Sequence, residues 1–193
     1  RLVKWLLIVC LAIMLGFTWF AVSSLPSLQP WHTQRLAGEF KAYKDSDIDF
    51  DAYMRREAIL FENMQTEIAG WDQNEEAFIY SRFNRASNFD RLAEGAPFNR
   101  SFRWTVANPK GHALLIHGLT DSPYSMKAMA ETLHARGFDI TVLRLPGHGT
   151  LPSMMTEMSL RDWNAAVRIA ARDVASRTPP GQPFYLAGHS TGG

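Results

Sequence analysis

Gly188-His189-Ser190-Thr191-Gly192 is the stretch of this sequence best suited to chemistry. It fits G-x-S-x-G, in which a serine sits on a sharp, strained turn from a strand into a helix. The neighbours of such a serine must lack bulk. The turn lifts the hydroxyl out of the sheet and aims the next backbone N–H, that of Thr191, at a developing oxyanion. A Gly/Ser surface turn is the plainer alternative. FYLAG (184–188), an apolar strand-like run immediately upstream, gives the motif the context it needs.

His117-Gly118-Leu119-Thr120 ends a second apolar run and precedes a helix. An oxyanion hole needs a second N–H from across the sheet, and Leu119 is the candidate donor. An ordinary turn with a hydrogen-bonded histidine is the alternative. A third loop, Pro146-Gly147-His148-Gly149, breaks the strand before it. His112 and His117 are five residues apart on one strand, so they face opposite sides and make a poor metal pair. No H-E-x-x-H, phosphate loop or nucleotide fingerprint is present, and no cofactor or metal is expected.

The elements that must position these loops are legible from residue 102 onward. FRWTV (102–106) alternates as a strand does, and HALLIH (112–117) has the continuous apolar pattern of a buried strand. Ser122 and Pro123 suit an N-cap and first helical position, and Gly137 a C-cap. FDITVLRL (138–145) is the next strand. Ser159 with Asp162 forms a capping box. Leu160, Trp163, Val167, Ala170, Ala171 and Val174 mark a helix running to about Arg177. Strand, helix, strand, helix, strand implies right-handed crossovers and a parallel sheet. Ligands bind such sheets beyond the C-terminal strand ends, where loops 117–122, 146–152 and 188–193 begin.

LLIHGLTDSPYSM (114–126), LRLPGHGT (143–150) and LAGHSTGG (186–193) together resemble the α/β-hydrolase superfamily, in particular its monoacylglycerol lipases, lysophospholipases and serine aminopeptidases. The resemblance covers residues 102–193. It implies an α/β fold, a mostly parallel sheet flanked by helices, with Ser190 as nucleophile and Leu119 and Thr191 as oxyanion N–H donors. The superfamily places its acid and histidine after the serine in chain order. Only Thr191, Gly192 and Gly193 follow Ser190 here, so the chain reads as an N-terminal fragment, inactive alone. His117, His148 and His189 read as structural residues, with the His189 side chain pointing inward.

Upstream, Trp5 to Val22 form an uncharged apolar run of 18 residues. As a helix it spans about 27 Å, near the ~30 Å hydrocarbon core. Arg1 and Lys4 precede it, and no Lys or Arg follows until Arg35. That asymmetry puts the N-terminus in the cytoplasm and the catalytic domain across the membrane. Trp5, Trp19 and Trp31 could mark the interfaces. A cleaved signal peptide ending near Ala21-Val22-Ser23 is the alternative. Residues 1–23 thus form an anchor or signal segment. Residues 24–101 form a linker and helical or loop region, with a helix at about 49–69 carrying Tyr53, Leu60, Met64 and Ile68 on one face. Residues 102–193 begin the α/β domain.

The chain holds 20 Lys and Arg against 19 Asp and Glu, which gives no basic excess for a nucleic-acid partner. Cys10 is the single cysteine, so no internal disulfide can form. Met154, Met155 and Met158 could wall an acyl chain or pack the next helix. The expected activity is hydrolysis of carboxylic, lipid-like esters. A peptidase or amidase on the same scaffold, or a non-catalytic binding protein, is the alternative.

Overall fold

The computed structural model describes residues 1–25, 27–45, 47–71, 81, 83 and 99–193. Among them, helices α1 (Leu2–Ser23), α2 (Pro30–Thr33), α3 (Ala42–Asp45) and α4 (Phe50–Ala69) precede strands β1 (Phe102–Trp104) and β2 (His112–Ile116). A 3-10 turn (Pro123–Met126) leads into α5 (Lys127–Ala135), then β3 (Asp139–Leu143). A second 3-10 turn (Pro152–Glu157), α6 (Leu160–Arg177), β4 (Phe184–Gly188) and a final 3-10 turn (Ser190–Gly192) complete the order. The loops and short helices expected over 71–101 fall mostly outside the described residues.

The sheet order is β1-β3-β2-β4. β2 pairs in parallel with both β3 and β4, aligning Ile116 with Leu143 and Gly188. The three strand ends therefore share one edge, and the three motif loops leave it together. β1 runs antiparallel to β3 as an edge strand, shorter than the expected 102–106.

β2 and β3 are buried along their whole length, because helices cover both sheet faces. Leu114, Ile116 and Leu143 face Phe40, Phe50, Tyr53, Ala166, Ile169 and Val174 from the α3–α4 region and α6. Ala113, Leu115, Ile140 and Val142 face Met126 and Ala130 on the other side. The period-2 alternation of the strands thus divides one apolar run between two cores.

The local signals act as their chemistry dictates. Ser159 and Asp162 close a reciprocal capping box at the start of α6. Asp49 caps α4 by accepting from the Ala52 N–H. Gly137 adopts φ 89° just past α5, the left-handed stop that glycine permits. One expectation shifts. Leu160 is 66% exposed, and Ala166 and Ile169 fill the core instead. Within residues 1–193, β4 pairs with β2 alone and exposes Phe184, Tyr185 and Leu186.

The N-terminal region is mostly integral to the domain. Trp31, suggested by sequence as an interfacial marker, is instead buried at 3% exposure with Leu36, Leu60, Met64, Leu151 and Met154. Pro30 opens α2 at its first position, where a missing N–H costs nothing. Met154 takes the packing role, and its sulfur accepts from the Leu36 N–H. α1 differs in kind: none of its residues is buried, and free Cys10 lies on it. It is long and apolar enough to cross a membrane, and a signal sequence passes the same test.

Candidate active site

Ser190 has φ 55°, the one positive φ outside glycine among the described residues. Such a conformation costs roughly 1–3 kcal/mol and persists only where its surroundings impose it. The surroundings are visible. A Cβ on Gly188 would run into the backbone of Gly192, and one on Gly192 would meet the Ile116 and His117 carbonyl oxygens at 2.6 Å. The His189 N–H donates to the Ile116 carbonyl at 3.0 Å, holding the turn against the end of β2. The sharp turn expected from the G-x-S-x-G spacing is therefore present, with both flanking glycines sterically required.

The turn after β2 lies beside it. A Cβ on Gly118 would stand 3.3 Å from Ser190 Cβ and 3.2 Å from His189 Nδ1. The orientation of that turn is set by His117, which is fully buried. Its Nε2 accepts from the Leu145 N–H at 3.0 Å, so its Nδ1 carries the proton and donates to the Gly118 carbonyl at 2.8 Å. Gly118 C=O and Leu119 N–H belong to one planar peptide. Fixing the carbonyl therefore turns the Leu119 N–H the opposite way. Among the described residues, no hydrogen bond occupies the N–H of Leu119 or Thr191. Ser190, Leu119 and Thr191 are thus brought to one edge, with two uncommitted donors.

His148 completes this layer. Its ring packs edge-on against His117, with centroids 4.8 Å apart, and against Trp163 at 5.4 Å. The Trp163 indole N–H donates to the Pro146 carbonyl at 3.0 Å. Both histidines are structural, as their sequence context suggests. The His189 side chain, expected to point inward, is exposed within residues 1–193, where β4 pairs with β2 alone. Among the described residues, no side chain hydrogen-bonds the Ser190 hydroxyl, and no group of three or more potential metal ligands occurs.

Burial pushes the His117 imidazole down from 6.5 to about 4, against the opposing pull of the Gly118 carbonyl. The unfolded chain therefore binds the proton more tightly. Stability from this residue is complete above pH 6.5 and is lost as pH falls toward 4, by roughly 3 kcal/mol in all. A His117→Gln variant should show a correspondingly flatter stability profile between pH 7 and 4. Urea titrations at several pH values measure it, and parallel profiles for the two proteins would refute the assignment.

The sequence did not single out the polar cluster beneath the third loop. Arg144 is fully buried. Its Nη2 and Nη1 donate to the two oxygens of Glu39 at 2.7 and 3.0 Å, and its Nε to Glu57 at 2.8 Å. Nη1 also donates to the His148 carbonyl at 2.8 Å. Glu39 accepts from the Gly147 N–H at 2.9 Å, and the Tyr53 hydroxyl donates to the Arg144 carbonyl at 2.8 Å. Burial pushes the Glu39 carboxyl up, but the Arg144 charge and the hydrogen bonds together hold it below its ordinary value. At Glu57 burial prevails and raises it. Residues from 39 to 57 thus clamp the loop that carries His148. Arg144 was readable only as one letter of LRLPGHGT, since its partners lie 105 and 87 positions away.

Residues 113–193 match the alpha/beta hydrolase family model. A thermostable monoacylglycerol lipase from Bacillus sp. (strain H-257) is 35% identical over 80 residues, 42% of this chain and 31% of the relative. A solved structure from a study of LipS and LipT, two metagenome-derived lipolytic enzymes, is 30% identical. Its TM-score is 0.45, over 50% of this chain and 37% of that one. The chain therefore spans about a third of the length of the curated relative. The family match runs through all three motif loops, which leave one edge of a mostly parallel sheet together.

Proposed function

We propose that the protein is a serine hydrolase of carboxylic, lipid-like esters, with Ser190 as its nucleophile. The observation that carries this reading is the strained Ser190 between two sterically required glycines, beside the turn whose Leu119 N–H is uncommitted. The Ser190 oxygen attacks the acyl carbonyl carbon, and its proton passes to a histidine base. The N–H groups of Leu119 and Thr191 hold the oxyanion. Collapse breaks the bond to the alcohol, which takes the proton, and leaves an acyl-serine. Water, deprotonated by the same base, then releases the acid. The superfamily's chain order puts that base and its acid partner after the serine. A serine hydroxyl without an adjacent base is a poor nucleophile, so the reaction requires both. The 35% identity to a monoacylglycerol lipase supports the choice of ester over amide.

A fluorophosphonate probe tests the reading on the full-length protein. Labelling that disappears in the Ser190→Ala variant supports it, and a folded protein that resists the probe removes it. The oxyanion assignment has its own test. Leu119→Pro deletes one donor N–H and should lower kcat about 10²–10³-fold. An unchanged kcat in a folded variant shows that this N–H is not used.

A further inference from the structure

α1 ends at Ser23 and α2 begins at Pro30. Residues 24–29 between them reach about 20 Å when fully extended. None is charged, and Leu25 and Leu28 are 68% and 77% exposed. α2 itself is fastened to the domain. Trp31 is buried against Leu151 and Met154, Ser153 Oγ donates to the Gln34 carbonyl, and Arg35 pairs with Glu157. Those partners lie in or next to the Pro152–Glu157 turn, which directly follows the loop carrying His148. His148 meets His117, and Gly118 adjoins Ser190. The apolar helix is therefore leashed to the edge of the sheet where β2, β3 and β4 end.

We infer that this edge faces a lipid bilayer spanned by α1, with residues 24–29 in the headgroup layer, and that the substrate is an ester drawn from that bilayer. A leash fixed to the opposite edge would set the site farther off by at least a strand length, about 17 Å for five residues. Fixed here, it keeps α2 within about 20 Å of the surface. Leu25 and Leu28 gain by leaving water at the acyl boundary. The substrate half of the inference rests on the ester-hydrolase reading, and the orientation half does not.

Energy transfer tests the orientation in the full-length protein, reconstituted into phosphatidylcholine vesicles with rhodamine-labelled lipid as acceptor. In a background with Cys10 and any further accessible cysteine replaced by alanine, a donor goes on Leu160→Cys at the near end of α6 or on Ser176→Cys at its far end. Those positions are about 24 Å apart along the helix. Transfer should be several-fold greater from position 160. Equal or reversed transfer overturns the orientation, as does an intact mass showing that α1 is absent from the mature protein. Twelve Gly/Ser residues inserted after Ser27 should equalise the two donors. The same insertion should slow hydrolysis of mono-oleoylglycerol in the vesicles about tenfold by diluting the effective local concentration, and leave soluble p-nitrophenyl butyrate unaffected. Equal effects on both esters overturn the bilayer substrate. Hydrolysis of neither ester by an oriented protein overturns the ester-hydrolase reading and leaves the orientation standing.

Discussion

Ser190→Ala should lower ester turnover of the full-length protein by about 10⁴–10⁶-fold, the range seen when a nucleophile is removed from a serine hydrolase. Residual catalysis from oxyanion donors and binding sets the floor. The substitution removes one oxygen from a turn residue that belongs to none of the buried core clusters. Alanine at φ 55° is strained much as serine is, so the turn loses little further stability. Activity and folding are therefore separable in this variant. The measurement is kcat/KM on a soluble ester together with a urea unfolding curve. Turnover within tenfold of the parent would remove Ser190 from the mechanism.

The second large effect is structural. Arg144→Ala should cost about 3–5 kcal/mol, because it strands two carboxylates in the interior. Glu39 and Glu57 are both buried, and each makes its closest ion pair with Arg144. The loss includes a guanidinium bond to the His148 carbonyl, so the third loop should loosen as well. Urea titration at pH 7 measures the difference. Adding Glu39→Gln and Glu57→Gln should recover part of it, since neutral amides cost less to bury than unpaired charges. A loss under about 1 kcal/mol, or no recovery, would show that the cluster is not a charge-paired unit.

What the sequence made legible was local or strictly periodic. The Ser159–Asp162 box, Gly137 and the Gly188–Gly192 turn each act within a few residues, so spacing alone reveals them. The buried runs of β2 and β3 were legible because both faces are covered. Trp31 was misplaced at a membrane interface, since a lone aromatic just after Pro30 carries no period. The Arg144 cluster could not be placed, since its three charges meet only through the fold. Within the candidate site, Ser190, Leu119 and Thr191 were readable. The role of His117 in turning the Gly118–Leu119 peptide was not, because it depends on a partner from β3's loop, the Leu145 N–H.

The long separation within the Arg144 cluster has a consequence for synthesis. Glu39 and Glu57 leave the ribosome about 90–100 residues before Arg144, several seconds at ordinary elongation rates. During that interval α4 carries an interior carboxylate with no cation to meet it. The first hundred residues thus have reason to stay open and wait for β3. Arrival of Arg144 then closes a loop of about a hundred residues in one event. Such a protein should depend on holding factors early in translation and fold late, as one cooperative step.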